Sequence, residues 1–302
     1  MYKKLIVSIL FTLLNFTNAN SENVKFMQLG SMPKNDQEKK PPNFIKGKIY
    51  YPKIKKDEYP VVLFLHGTGG LGYRSKKMKE VFLKNNIAFF EIDMFGSRNK
   101  KSGHKNRLKS TRNYLPDVWG ALDWISQNPK LNKNKIAIVG QSMGGFLALN
   151  IAIGMHTWMF SYDWNSKTPK AIVAWYPVCS AINTNSSLFK RLMNDSEIKN
   201  IPIKNTIILS PELDAYEKDS GECVRTYEDF FSKDKSNVWI AKNATHAFDS
   251  NPKKKQSKNN DPAQFSLGRL KSKSSSIQVH DEKLADKYRE KTVKYILNIF
   301  NN

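Results

Sequence analysis

Short apolar runs alternate along this 302-residue chain with stretches in which apolar residues recur every three or four positions. Several runs are almost continuously apolar, which is typical of strands covered on both faces of a parallel sheet. The runs predict seven strands, at 45–51, 61–65, 87–92, 136–139, 171–176, 206–209 and 238–241. The helical spacing predicts helices at 76–84, 116–126, 144–153 and 281–300. The alternation indicates an α/β fold with a mostly parallel sheet.

The first 44 residues differ in character from the rest of the chain. A basic start, an apolar run and small residues before Ala19 are typical of a secretory signal peptide, so we expect residues 1–19 to be cleaved and the protein to be secreted or periplasmic. No apolar run is long enough to span a bilayer comfortably, so no stable membrane insertion is expected. Residues 20–44 are polar and rich in Pro and Lys, which predicts a leader. Residues 45–302 are then one domain, with a long surface loop at 250–276.

Basic residues greatly outnumber acidic ones. The chain has 49 Lys and Arg against 27 Asp and Glu, a formal charge of +22, which would attract polyanions. Its lysines are scattered and are not interleaved with aromatic residues, which favours a solvated surface and no nucleic-acid partner.

One serine stands in a motif that carries chemistry. The apolar run at 136–139 leads directly into Gly140-Gln-Ser142-Met-Gly144 and then into a predicted helix. G-x-S-x-G between a strand and a helix is the nucleophile elbow, in which the turn lifts the serine hydroxyl above the sheet. Ser142 is therefore the candidate nucleophile.

A serine hydroxyl needs a base to take its proton and a carboxylate to orient that base. His246 follows the last predicted strand and Asp214 follows the strand before it, so their order after Ser142 is the one expected for this scaffold. Three other acids, Glu212, Asp219 and Glu222, share the loop of Asp214 and stay open as alternatives. The remaining histidines, His66, His104, His156 and His280, are placed less well for the base.

The glycine-rich stretch 67–72 allows two interpretations. It fits G-x-G-x-x-G, with acids at the end of the next strand, as in a dinucleotide site. The helix after it opens with lysines that oppose its dipole, and a dinucleotide site would leave Ser142 and His246 without a role. We therefore expect an oxyanion hole built from the backbone N–H groups of Thr68 and Met143, with His66 holding the loop by hydrogen bonds.

The two cysteines, Cys179 and Cys223, lie 44 positions apart in a chain that we expect to be exported. A disulfide between them is one possibility and two separately buried thiols are the other.

Together these residues resemble the dienelactone hydrolase family of the α/β-hydrolase superfamily. The resemblance runs from about residue 59 to 249 and rests on these segments: HGTGG at 66–70, DMFGSR at 93–98, PD at 116–117, GQSMGG at 140–145, YPVC at 176–179, ELD at 212–214 and HAF at 246–248. It implies a doubly wound sheet of about eight strands, a cofactor-free hydrolase with a Ser142, Asp214, His246 triad, and a disulfide between the cysteines.

The resemblance also bears on the substrate. An arginine near the turn after this strand holds a substrate carboxylate in the namesake enzymes, which makes Arg98 a candidate binding residue, with a solvated surface arginine as the alternative. The namesake lactonase has cysteine in place of Ser142 and glutamate in place of Gly67. These departures favour a broader ester chemistry.

The sequence thus predicts an exported serine hydrolase that cleaves small carboxylic esters through an acyl-enzyme, without a metal or organic cofactor. Two alternatives stay open. One is an acyltransferase or peptidase on the same fold, and the other is a non-catalytic binder of an acidic cell-wall polymer. The sequence does not predict the oligomeric state.

Overall fold

The computed structural model describes residues 20–30, 38–154, 168–182, 203–231, 235–253, 255–266 and 276–302. The predicted signal peptide lies outside the described residues. Within the described ranges, no helix combines the length and the apolar character needed to cross a membrane.

The described residues form an eight-stranded sheet that contains all seven predicted strands. In chain order the strands are β1 (Ser21–Phe26), β2 (Ile45–Tyr50), β3 (Tyr59–Leu65), β4 (Ala88–Asp93), β5 (Leu131–Gln141), β6 (Ala171–Trp175), β7 (Thr206–Pro211) and β8 (Val238–Ala241). Their spatial order is β1-β2-β4-β3-β5-β6-β7-β8. Pairing is parallel from β4 through β8 and antiparallel for β1 and β2. The mostly parallel sheet is therefore confirmed.

Helices cover both faces of this sheet. They are α1 (Tyr73–Lys84), α2 (Leu115–Gln127), α3 (Met143–Ala152), α4 (Glu222–Phe230), the short α5 (Ala263–Ser266) and α6 (Glu282–Asn301). Alternate residues of each central strand enter different cores: Val61 and Leu63 pack with α2 and α3, while Val62 and Phe64 pack with α1 and α6. This division into two cores explains why the central strands are apolar at successive positions, and it is the doubly wound arrangement.

The polar leader predicted for residues 20–44 is wrong in its first part, because β1 belongs to the sheet. β1 pairs with β2 over all six of its residues and buries Val24 and Phe26. Two inward apolar side chains are a weak local signal, and β1 is stabilised by a partner strand that follows much later in the chain.

The long loop predicted at 250–276 is also partly wrong. It contains β9 (Gln256–Asn259), which pairs with β10 (Ser276–Val279) as a two-stranded antiparallel hairpin. Val279 anchors the hairpin, since its N–H donates to the hydroxyl of Thr245 at 2.8 Å. The hairpin therefore lies directly beside the loop that carries His246.

Candidate active site

Ser142 occupies the turn between β5 and α3 in a conformation that few non-glycine residues adopt. Its φ is 53° and its ψ is −115°, and its N–H donates to the carbonyl oxygen of Trp175 at 2.9 Å. A Cβ at Gly140 would collide with the backbone of Gly144, and a Cβ at Gly144 would collide with the carbonyl group of Leu65. Close backbone packing thus requires both glycines of the elbow motif.

The hydroxyl of Ser142 begins a chain of hydrogen bonds through His246 to Asp214. Ser142 Oγ lies 2.8 Å from His246 Nε2, although the two residues are 104 positions apart. His246 Nδ1 lies 2.7 Å from Asp214 Oδ2. When Nδ1 donates to this carboxylate, Nε2 is left as an acceptor for the serine hydroxyl proton. The structure therefore brings together the three residues that the strand-end argument selected.

Asp214 is the acid of its loop that reaches the histidine. It is fully buried, and its second oxygen accepts the backbone N–H of Tyr216 at 2.9 Å. Glu212 forms an ion pair with a surface lysine, and Asp219 and Glu222 both pair with a surface arginine. The three alternatives therefore have other partners.

Thr68 and Met143 lie beside Ser142 in the same cleft. The carbonyl oxygen of Thr68 accepts the N–H of Gly103 at 2.7 Å, which ties this loop to the next one along the sheet edge. Within the described part of the chain, the backbone N–H groups of Thr68 and Met143 donate no hydrogen bond. Both groups are available to receive an oxygen at the nucleophile.

His66 holds the glycine-rich loop by hydrogen bonds, as expected. Its Nδ1 lies 2.8 Å from the carbonyl oxygen of Gly67, and the N–H of Met94 donates to its Nε2 at 3.1 Å. Burial lowers the pKa of His66 and keeps the ring neutral. Glu91 accepts a hydrogen bond from a tyrosine of β2 and Asp93 accepts one from the turn after β4. The acids that a dinucleotide ribose would need are thus engaged within the protein.

Two tyrosines that the sequence analysis did not select contact the His246 ring. The ring centroid of Tyr216 lies 4.4 Å from that of the imidazole, and the ring of Tyr176 meets it edge-on at 4.9 Å. Tyr176 lies in the segment YPVC directly after β6, and this strand-end position was the one sequence signal that it could belong to the site. Its contact with His246 forms only when the ends of β6 and β8 meet in the folded sheet, so neither segment alone could predict it.

A buried carboxylate, Asp249, joins the strand ends behind the site. The hydroxyl of Tyr176 donates to its Oδ1 at 2.6 Å, and the side-chain amide of Gln141 donates to its Oδ2 at 2.6 Å. Asp249 is fully buried and follows His246 by three positions. It therefore links the turns that carry the nucleophile, the base and the tyrosine on which the base packs.

The hairpin of β9 and β10 closes one side of the site. Asp261, which follows β9, is buried and accepts hydrogen bonds from Tyr216 and Arg107, each at 3.1 Å. Two clefts meet at Ser142, and Asp261 lines both. The first has an apolar wall of Met143, Phe146, Val178 and Ala181. The second has a polar wall that includes His104, Lys258, Asn259 and Gln278.

Arg98 does not reach either cleft, so the prediction that it binds substrate is wrong. Its side chain is only 2% exposed and pairs with Asp117 at 2.7 Å and with Glu38 at 2.9 Å. The alternative of a solvated surface arginine is equally wrong. Two distant carboxylates, each remote from it in the sequence, turn this arginine inward and bury it as an ion pair.

The disulfide between Cys179 and Cys223 is confirmed, with Cα atoms 5.2 Å apart. Glu217 lies beside it and accepts the N–H groups of Cys179 at 2.5 Å and Ser180 at 2.9 Å. Burial and the neighbouring charge of Asp214 raise the pKa of Glu217 to about 8. The two cysteines and Glu217 are close enough for a metal site, but sulfurs joined to each other offer no thiolate ligand.

Comparisons with known proteins identify the family. The BD-FAE family model matches residues 48–207, which is more than half of the chain. No curated protein sequence matches significantly.

Three of the solved structures with a similar fold illustrate the likeness. A dienelactone hydrolase-like promiscuous phosphotriesterase from metagenomic libraries has a TM-score of 0.59 at 14% identity, over 93% of this chain and 99% of its own. Esterase 2 of Thermogutta terrifontis, phosphoramylated by tabun, has a TM-score of 0.56 at 17% identity, over 94% of this chain and 95% of its own. Est1E of Butyrivibrio proteoclasticus, with bound ferulic acid, has a TM-score of 0.53 at 14% identity, over 85% of this chain and 97% of its own.

These structural likenesses confirm the expected resemblance to dienelactone hydrolases at the level of the fold. The matched family model covers the elbow, the glycine-rich loop and six of the eight strands in whole or in part. The chain has the α/β-hydrolase fold and belongs to the BD-FAE family.

Proposed function

We propose that this protein is an exported serine hydrolase that cleaves carboxylic esters. The observation that carries the proposal is the continuous hydrogen-bonded chain from Ser142 Oγ through His246 to Asp214. A buried carboxylate, an imidazole and a serine on a strained turn at a helix N-terminus are the parts that acyl transfer requires. The esterases among the structural neighbours are consistent with this chemistry.

Acylation begins when Ser142 Oγ attacks the ester carbonyl carbon while its proton moves to His246 Nε2. Asp214 stabilises the imidazolium that forms and holds the ring in its orientation. The carbonyl oxygen becomes an oxyanion and accepts the N–H groups of Thr68 and Met143, where one such donor typically contributes about 3 kcal/mol to the transition state. His246 then returns the proton to the departing alcohol oxygen, and the acyl group stays on Ser142.

Deacylation repeats these steps with water. His246 Nε2 removes a proton from the water, whose oxygen attacks the acyl carbon. The second tetrahedral intermediate collapses, the serine oxygen takes the proton back from His246, and the carboxylic acid leaves. An alcohol or amine in place of water would give acyl transfer, so product analysis with added methanol distinguishes a hydrolase from an acyltransferase.

Export is part of the proposal. The features of residues 1–19 favour a signal peptide, and the disulfide between Cys179 and Cys223 fits an oxidising compartment. Mass spectrometry of the protein recovered from its native host tests this part. Mature protein that begins near residue 20 is expected, and an intact first segment would contradict it.

Labelling with a fluorophosphonate tests the catalytic part. We expect the wild-type protein to be labelled, because the activated Ser142 oxygen displaces fluoride, and we expect Ser142→Ala to take up no probe. Ser102→Ala is the matched control, since Ser102 is an exposed serine close to the glycine-rich loop, and it should be labelled like the wild type. Absence of labelling in folded wild-type protein, or undiminished labelling of Ser142→Ala, would refute the proposal.

A further inference from the structure

Exposed apolar side chains are unevenly distributed over the described residues. Six large apolar side chains there are at least 40% exposed: Met27, Phe44, Ile54, Leu213, Ile277 and Val279. Three of the six, Leu213, Ile277 and Val279, belong to two segments that are distant in the sequence and meet beside the active site. We call these three side chains the apolar patch. Contiguous exposed apolar surface in a folded protein is typical of a site that binds a partner.

Hydrogen bonds to the loop of His246 bring the two segments together. The N–H of Val279 donates to Thr245 Oγ1 at 2.8 Å, and this hydroxyl donates to the carbonyl oxygen of Val279 at 3.3 Å. The N–H of Leu213 donates to the carbonyl oxygen of Ala244 at 2.8 Å. Neighbouring residues of one loop therefore hold Leu213 and Val279 at the same part of the surface.

The outward face of the hairpin of β9 and β10 is both apolar and cationic. Side chains alternate between the two faces of a strand, and in β10 Ile277 and Val279 are the exposed ones. On β9 the exposed ones are Gln256 and Lys258, and Lys258 is the register partner of Ile277. Gln278, which points to the opposite face, lines the cleft with the polar wall. One hairpin thus carries the apolar patch outside and lines the active site inside.

The lysines beside the patch are not neutralised. Lys255 and Lys258 are exposed, and the carbonyl oxygen of Lys255 accepts the N–H of His280, the residue that follows β10. In the described part of the chain, no carboxylate lies within ion-pair distance of either ammonium group. The acids nearby have other roles, since Glu212 is in an ion pair and Asp281 accepts the first free N–H groups of α6. The surface around the patch is therefore positive.

We propose that the apolar patch and these lysines form a docking surface for an anionic phospholipid membrane. A lipid surface supplies both kinds of contact, because apolar side chains enter the boundary between headgroups and acyl chains while lysines meet the phosphates. The contact is peripheral and needs no spanning helix. It goes beyond the proposed function, since neither Ser142 nor His246 takes part in it. Docking holds the protein with its clefts beside the lipid surface.

A second copy of the chain fits this surface less well. A symmetric pair would bring the same patch of each copy together, so Lys255 and Lys258 of both copies would meet and repel one another. The formal charge of +22 adds a long-range repulsion between copies. An anionic membrane turns the same charges into an attraction.

Sedimentation with lipid vesicles measures the docking. The full mature chain is mixed at low salt with vesicles of phosphatidylglycerol and phosphatidylcholine in equal parts. The patch variant is Ile277→Ser with Val279→Ser, and its partition coefficient should fall about tenfold because the apolar contact is lost. The matched control is Met27→Ser with Ile54→Ser, which removes side chains that are 63% and 58% exposed outside the patch. It should change binding by less than about twofold.

A second pair of variants tests the charge. Lys255→Gln with Lys258→Gln should also weaken binding about tenfold. Lys133→Gln with Lys135→Gln removes the same charge at the start of β5, the end opposite Ser142, and should change binding by less than about twofold. Vesicles of phosphatidylcholine alone, or a high salt concentration, should reduce wild-type binding in the same way, because both remove the electrostatic attraction.

Three results would overturn the inference. The first is an equal loss in a variant and its matched control, since exposed apolar area or diffuse charge anywhere on the surface would then be sufficient. The second is equal binding to vesicles with and without phosphatidylglycerol. The third is a concentration-dependent dimer that the patch variant abolishes, which would assign the patch to a second copy. Circular dichroism checks that each variant is folded. Ser142→Ala should bind vesicles like the wild type, so docking and the proposed hydrolase activity can fail independently.

Discussion

Replacement of Asp249 by asparagine tests the buried network behind the site. The aspartate accepts a hydrogen bond from Tyr176 and another from Gln141, both at 2.6 Å, and it lies close enough to Arg74 and Arg289 for their charges to interact. Asparagine has the same size but keeps only one oxygen. The asparagine amide group would face either the Tyr176 hydroxyl or the Gln141 amide, both of which are donors, and the negative charge would be lost.

The expected loss of stability follows from these contacts. Removal of one member of a buried, charged set costs about 3 to 5 kcal/mol, because the remaining charges lose their compensation. Tyr176→Phe is the matched control, since it deletes the hydrogen bond from the Tyr176 hydroxyl to Asp249 and leaves the side chain of Asp249 in place. Loss of one hydrogen bond to a charged group costs about 1.5 to 3 kcal/mol. We therefore expect Asp249→Asn to be the more destabilised variant.

Urea unfolding at neutral pH, followed by tryptophan fluorescence and extrapolated to water, measures both values. The free energy of unfolding is expected to be highest for the wild type, lower for Tyr176→Phe and lowest for Asp249→Asn. A free energy of unfolding for Asp249→Asn within about 1 kcal/mol of the wild-type value would contradict this expectation. It would mean that other groups compensate the buried charges that Asp249 otherwise balances. The same would follow if Tyr176→Phe were the less stable variant.

Three further predictions concern stability. Replacing Cys179 and Cys223 together by serine should lower the free energy of unfolding by about 4 kcal/mol, because the disulfide spans 44 positions; unchanged urea unfolding under oxidising conditions would contradict this. Since the pKa of Glu217 is raised from 4.5 to about 8, the folded state keeps a proton that the unfolded chain releases, so stability should fall as pH rises from about 4.5 to about 8. When the free energy of unfolding is measured by urea at several pH values in this window, it should fall less steeply with pH for Glu217→Gln than for the wild type. An equally steep fall in the variant would assign the effect to other groups. Gly144→Ala puts a Cβ against a backbone carbonyl of β3, so it should yield little folded protein by circular dichroism, and a normally folded Ala variant would refute the packing argument.

Local pattern was sufficient for the central part of the fold. The apolar runs predicted β2 through β8 because each of these strands buries side chains in at least one core, which leaves a strong signal in a few consecutive residues. The strand-end positions of Ser142, Asp214 and His246 followed from the same pattern, since parallel strands bring their carboxyl ends to one edge.

Elements stabilised by distant partners escaped that pattern. β1 has two buried apolar residues and depends on β2, and the hairpin of β9 and β10 is largely polar and is anchored on the loop of His246. Their formation depends on pairing across the chain, which no short window of sequence records.

The sequence by itself determined where the central strands lie along the chain, the elbow, and the serine and histidine at the strand ends. Which acid of the 212–222 loop reaches His246 was decided by the tertiary structure, in which Asp214 Oδ2 lies 2.7 Å from His246 Nδ1. Only the tertiary structure decided that Arg98 is buried against Asp117 and Glu38, and that two tyrosines pack on His246. The physical reason is that hydrophobic periodicity is a property of neighbouring residues. The partners of a buried charge and the neighbours of an imidazole come from segments that meet only after the chain has folded.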